Sequence, residues 1–196
     1  MLARARFIAI FVSSIFAATA GNAAVPSPPN SVVEPVLVGN SNGTLIGDGF
    51  RVTVRDIANI PIGGSLVDLL FAGAVRPYTA QVPPSGSLCP AAPGIRQAAN
   101  AAGNAVFQAR FGGYANAFAI QVRADGVLLS QVMARSTDIN ADGTTAVGDF
   151  NLFRINFLFN PPAMETDYNE DGATLVGDFD IFRKVFLNEV PGIPCP

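Results

Sequence analysis

The chain has 196 residues and a formal net charge of −3, with 49% hydrophobic and 14% charged residues, 19 Gly, 15 Pro, two Cys, and neither Trp nor His. This is the profile of a secreted, strand-and-loop-rich protein rather than a disordered one. Without histidine there is no His-based triad, no His metal ligand and no ordinary general base near neutral pH. Of the 12 basic residues only Lys184 is a lysine, and they form no run that would grip DNA or RNA.

Met1 to Arg6 carries two arginines, Phe7 to Phe16 is an apolar run broken only by Ser13 and Ser14, and small residues follow through Ala24. A positive start, a short apolar stretch and a small-residue zone predict a secretory signal peptide over residues 1–24, cleaved after Ala20 or Ala24. A bilayer-spanning helix needs about 20 apolar residues, so no membrane span is expected. The destination is the secreted, extracellular or cell-surface space.

Charge divides the rest. Residues 25–135 hold five acids (Glu34, Asp48, Asp56, Asp68, Asp125) against seven arginines, whereas residues 136–196 hold ten acids against Arg154, Arg183 and Lys184. A boundary between Arg135 and Ser136 follows, giving two domains, 25–135 and 136–196.

In the first of these, Phe50 to Arg55 alternates apolar with polar, as does Phe118 to Arg123, so each is read as a strand with one buried face. Ser65 to Phe71 is nearly continuously apolar and reads as a more buried strand. Asn104 to Phe111 alternates again, and Ile95 to Ala102 keeps a weak helical alternative. Asp125-Gly126 predicts a hairpin turn between Phe118–Arg123 and Val127–Met133, because both residues tolerate positive φ. Short strands divided by turn residues predict an antiparallel β-sandwich.

The stretches Phe50 to Ile62, Asn100 to Phe107 and Val122 to Val127 together resemble bacterial immunoglobulin-like domains of surface and secreted proteins. That resemblance covers about Ser31 to Ala134, and its motifs are turn chemistry rather than active-site chemistry. The Pro/Ser/Gly-rich stretch Tyr78 to Pro93, which contains Cys89, departs from it as an inserted loop.

The second domain opens on a duplication. Thr137 to Phe157 and Thr166 to Phe186 lie 29 residues apart and share 13 of 21 positions. Each copy places oxygen-bearing groups at loop positions 1, 3, 5 and 12 and glycine at 6, the pattern of an EF-hand calcium loop. Calcium is a hard ion that takes six to eight oxygens, and alternate residues of a curled loop turn toward one centre. Asp138, Asn140, Asp142 and Asp149 supply side chains in the first copy, and Thr144 its carbonyl. Asp167, Asn169, Asp171 and Asp178 repeat these roles in the second, with the Ala173 carbonyl.

Two calcium ions are therefore expected. A solvated Asx turn is the bland alternative for one such string, and magnesium suits it less because it prefers an octahedron with several waters. Position 12 is aspartate where an EF-hand usually has glutamate, so affinity should be weaker or the loop tighter. After each loop, Phe150, Phe153 and Phe157, and then Phe179, Phe182 and Phe186, mark one apolar helix face. No helix fits before the first loop, so each unit is a loop plus one helix.

Paired calcium loops of this kind, each followed by a single helix and carrying aspartate at position 12, resemble the type I dockerin domain over Ser136 to about Glu189. The resemblance implies a small α-helical domain of paired EF-hand-like units and a cohesin-like protein partner. It also implies a recognition surface of Val147, Gly148, Arg154 and Ile155 in one copy and Val176, Gly177, Arg183 and Lys184 in the other. These residues differ from the Ser/Thr pair common in cellulosomal dockerins.

The fold expected from all this is multidomain, an immunoglobulin-like antiparallel sandwich followed by a dockerin-type helical domain. The function expected is a secreted, non-catalytic, calcium-binding attachment module. The alternatives are a structural calcium protein without a partner and an accessory component of a polysaccharide-degrading system. Asp56 and Asp68 lie in or beside predicted strands, but nothing in the sequence marks them as a general acid and base, and no small-molecule substrate is indicated. Cys89 and Cys195, the only thiols, are expected to form a disulfide in an exported protein, with pairing between chains or free thiols as the alternatives.

Overall fold

The computed structural model describes residues 24–41, 46, 48–78, 86–88, 94–160 and 163–188. The expected signal peptide, apart from Ala24, and both cysteines lie outside the described residues.

The chain is mostly β, with two helices among the described residues. Strands β1 (Val32–Val33), β3 (Phe50–Thr53) and β8 (Asn104–Phe107) form a three-stranded sheet in the order β1-β3-β8. A six-stranded sheet runs β2-β11-β10-β4-β7-β6, built from β2 (Val36–Gly39), β4 (Leu66–Phe71), β6 (Gly86–Leu88), β7 (Gly94–Ala98), β10 (Ala115–Ala124) and β11 (Val127–Ser136). Strands β5 (Arg76–Pro77) and β9 (Phe111–Gly112) pair separately. Helix α1 spans Val147–Phe159 and helix α2 spans Val176–Phe186.

The alternation in β3 works as expected. Phe50 and Val52 are buried and Arg51 is exposed, and the inward pair meets Leu37, Val67, Leu69, Ile120 and Val122 of the large sheet in one core. Strand β4 is apolar apart from Asp68 because it lies between β10 and β7, with Val67 and Leu69 fully buried. Asp125 and Gly126 carry φ of 47° and 83°, which lets β10 turn directly into β11.

Three expectations need correction. Ile95 to Ala102 holds no helix: β7 pairs with β4 on one side and β6 on the other, and ladder hydrogen bonds outweigh a weak helical pattern. The sheet is not wholly antiparallel, because β2 runs parallel to β11 with Val36 opposite Met133 and Gly39 opposite Ser136.

The third correction concerns the fold class. A sandwich followed by an α-helical, dockerin-type domain of paired EF-hand-like units is not what forms. The described residues form a β-rich fold of several sheets with two helices, and the segment after Ser136 is built onto the sheets. Strand β11 leads straight into the first loop, where the Thr137 amide still donates to the Gly39 carbonyl at 3.3 Å. The hydroxyl of Ser136 donates to the Phe111 carbonyl at 2.6 Å, and the Gly113 amide donates to the Asp138 carbonyl at 2.7 Å.

A second apolar cluster of Ile139, Phe153, Tyr168 and Phe182 includes Val38 of β2 at its edge, so the helices rest partly on the large sheet. Within this cluster Phe153 stacks on Phe182 with ring centroids 5.2 Å apart and on Tyr168 at 6.2 Å. The phenylalanine stripes thus pack against each other as their spacing predicts. Burying an aromatic side chain of this size contributes about 1.5–3 kcal/mol.

Candidate metal centres

Each loop curls around its own carboxylates, and the cause is local. In the first, the Asp142 amide donates to Asp138 Oδ1 at 3.2 Å and the Gly143 amide to Asp138 Oδ2 at 3.0 Å, which folds the chain back over its first residue. Gly143 has φ of 99° and its counterpart Gly172 has 94°, a backbone that side chains resist, so glycine at loop position 6 is a steric requirement. Asp149 stands in the first turn of α1. It accepts the Ala146 amide at 3.0 Å and, across the loop, the Asn140 amide at 3.0 Å. A carboxylate there also meets the positive end of the helix dipole.

The second loop repeats the arrangement. The Asp171 and Gly172 amides donate to Asp167 at 3.1 Å each, and Asp178 accepts the Leu175 amide at 2.8 Å and the Asn169 amide at 3.1 Å. The outcome is two triads, Asp138, Asp142 and Asp149, and Asp167, Asp171 and Asp178. In each, one carboxylate oxygen per residue lies within 4.8 Å of the others. Each triad can hold a metal ion.

The donor chemistry fits a hard cation. The three carboxylates of each triad offer oxygen alone, and the aspartates at positions 1 and 12 are at most 1% exposed. Burial pushes the carboxyl of Asp138 up to about 6, against the lowering effect of the Tyr78 and Gly143 donors and with the help of the neighbouring Asp149 and Asp142 charges. Burial likewise raises Asp149 and Asp178. At Asp142 burial acts upward too, but the Thr144 and Asn140 donors outweigh it and the carboxyl is lowered. Crowded, buried carboxylates are costly as free anions, and a cation among them removes that cost.

Asn140, Thr144, Asn169 and Ala173, the other expected ligands, hydrogen-bond to the carboxylates at loop position 5. The Asn140 and Asn169 side-chain amides donate to Asp142 at 2.8 Å and Asp171 at 3.0 Å, and the Thr144 hydroxyl donates to Asp142 at 2.7 Å. The Ala173 amide donates to Asp171 at 3.1 Å. Of the expected partner surface, Val147, Gly148, Arg154 and Ile155 are exposed on α1, and Val176, Gly177, Arg183 and Lys184 on α2. Arg183 pairs with Asp180 at 3.3 Å.

Three functional contacts have no signal in the sequence. Tyr78, following β5, donates its hydroxyl to Asp138, and Arg135 of β11 donates to the Asp167 carbonyl. Ser41 and Thr145 meet through their hydroxyls at 2.9 Å. The two acids an enzymatic reading would use are engaged elsewhere. Asp68 holds Arg96 through two hydrogen bonds of 2.5 and 2.9 Å, and Asp56 accepts the Ala58 and Ile60 amides of its own turn.

No helix among the described residues is long and apolar enough to cross a membrane. No protein-family model matches the chain, and comparisons with curated proteins and with solved structures give no match.

Proposed function

We propose that the protein is an exported, non-catalytic module whose two loops each take one calcium ion and whose two helices attach it to a protein partner, as a dockerin attaches to a cohesin-like domain. The observation that carries this reading is the pair of equivalent, largely buried aspartate triads 29 residues apart, each followed by a helix. A single acidic turn is commonplace, whereas two matching all-oxygen centres fit the coordination that calcium prefers over magnesium. Secretion rests on the n-region, h-region and small-residue pattern of residues 1–24. The partner surface rests on exposed Arg154, Ile155, Arg183 and Lys184.

A specific observation favours a second reading. The buried contacts of Tyr78, Arg135 and Ser41 with the loops would let the ions serve only to stiffen the end of the β fold. A pull-down from the source's own secreted and surface fraction, run with calcium and with chelator, separates the two. A cohesin-like protein captured only with calcium supports attachment. An empty pull-down alongside calcium-dependent stabilisation supports the structural role.

A further inference from the structure

We propose that the two loops, near-copies in sequence, fill unequally: the Asp138 centre takes calcium first, and the Asp167 centre fills only at higher calcium because Arg135 is built against it. This rests on the calcium reading above and concerns how the two centres are set apart.

Side chains of the β fold reach each loop's first aspartate from outside the loop, and they differ in charge: the Ser136 hydroxyl, which accepts the Asp138 amide at 3.2 Å, is neutral. Against Asp138 stands the Tyr78 hydroxyl, a neutral donor at ordinary pH. Against Asp167 stands Arg135, whose guanidinium donates to the Asp167 carbonyl and lies 3.6 Å from its carboxylate Oδ2. Arg135 and Asp167 are each about 1% exposed, so water does little to screen this pair. Among the described residues the Nε of Arg135 is buried without a hydrogen-bond partner, and the guanidinium's hydrogen bond and ion pair are both with Asp167 of loop 2.

A dication entering loop 2 must share Asp167 with a cation that cannot leave, and the two repel across a few ångströms of poorly screened interior. Loop 1 poses no such conflict. Among the described residues, the charge that opposes this asymmetry most directly is Glu170, which occupies the place of Ala141 in the other copy and feels the Arg135 charge, with Glu34 near it. Glu170 is exposed and solvent-screened, so it offsets a buried guanidinium only in part.

The amides of Gly143 and Gly172 report each centre separately, because each donates to its own first aspartate. In a calcium titration of the whole ¹⁵N-labelled chain, the Gly143 signal should reach its end point at calcium at least about ten-fold lower than Gly172 requires. Arg135→Met should narrow that gap by strengthening the second centre, Arg135→Lys should keep most of it, and Tyr78→Phe should leave the order unchanged. Simultaneous filling in the wild type, or Gly172 first, would overturn the proposal even if Arg135→Met fails to fold, and so would an Arg135→Met gap equal to that of the wild type. If neither amide responds to calcium, the calcium reading itself fails along with it.

Discussion

Ser41 and Thr145, 104 residues apart in the chain, meet hydroxyl to hydroxyl at 2.9 Å where both are buried, and Thr145 also contacts the Thr137 hydroxyl at 3.0 Å. One threonine thus ties the segment after β2 to both ends of the first loop. The second loop keeps the inner half of this device, Thr166 with Thr174 at 2.6 Å, and there Thr174 reaches the Ala163 carbonyl at 3.1 Å. Thr145→Val preserves shape and removes the hydroxyl from a buried site, so it should lower stability by about 1–3 kcal/mol. Urea unfolding of the whole chain measures this, and a change below a few tenths of a kcal/mol would mean that the contact does not anchor the loop.

Calcium should stabilise the whole fold rather than the loops alone. The buried contacts of Tyr78 with Asp138, Arg135 with Asp167, and Ser41 with Thr145 couple both loops to the sheets. At free calcium 100 times the dissociation constant, one site adds about 2.7 kcal/mol. Melts followed by the signal of the β fold should therefore shift upward with calcium and downward with chelator. Identical melting temperatures in the two conditions would remove the calcium reading. Two separate transitions, with only the smaller one sensitive to calcium, would show that the loops are not coupled to the sheets. Asp138→Ala combined with Asp149→Ala should cost one bound ion and leave the other.

What the sequence discloses and what it hides follow from how local each feature is. The strands β3, β4 and β10, the Asp125-Gly126 turn, the two loops and the phenylalanine stripes are all set by neighbours within a few residues, and their patterns are readable. The parallel pairing of β2 with β11 joins Val36 to Met133, and no local signal encodes such a distant choice. The duplication looks like a self-contained helical domain because its repeat is so regular. Its attachment to the sheets depends instead on Tyr78 and Arg135, whose partners lie 60 and 32 residues away. A tyrosine beside a Pro-rich stretch and an arginine at a strand end carry no mark of what they will touch.

Glycine substitutions should distinguish packing from backbone strain. A Cβ at Gly112 would collide with the Tyr78 hydroxyl, come within 2.6 Å of Asp138 Oδ2 and lie 2.9 Å from the Ala141 Cα. Gly112→Ala should therefore displace Tyr78 or the first loop, weakening calcium binding there as well as destabilising the fold. A Cβ at Gly126 would meet nothing within 4 Å, and only its φ of 83° opposes a side chain. Gly126→Ala should cost about 1–2 kcal/mol from the left-handed backbone alone and leave calcium binding unchanged. Calorimetric calcium titration of both variants checks the contrast, and equal effects on affinity would refute it.

The partner prediction depends on calcium and on both helices. Six aspartates crowd the two loops, and without ions their mutual repulsion works against the register that holds α1 and α2 together through Phe153 and Phe182. Only the loaded form should present Arg154 on α1 and Arg183 with Lys184 on α2 as a fixed surface, so chelator should abolish capture of the partner. Arg154 and Arg183 are exposed and lie 29 residues apart at matching positions of the repeat, which allows either helix to face the partner. Arg154→Ala alone should then leave affinity nearly intact, whereas the triple change Arg154→Ala, Arg183→Ala and Lys184→Ala should eliminate it. A purely structural calcium role predicts no partner in any condition. Titration of wild type, single and triple variants against the captured protein decides between these outcomes. A single variant as weak as the triple would end the two-way mode of binding while leaving calcium-dependent attachment in place.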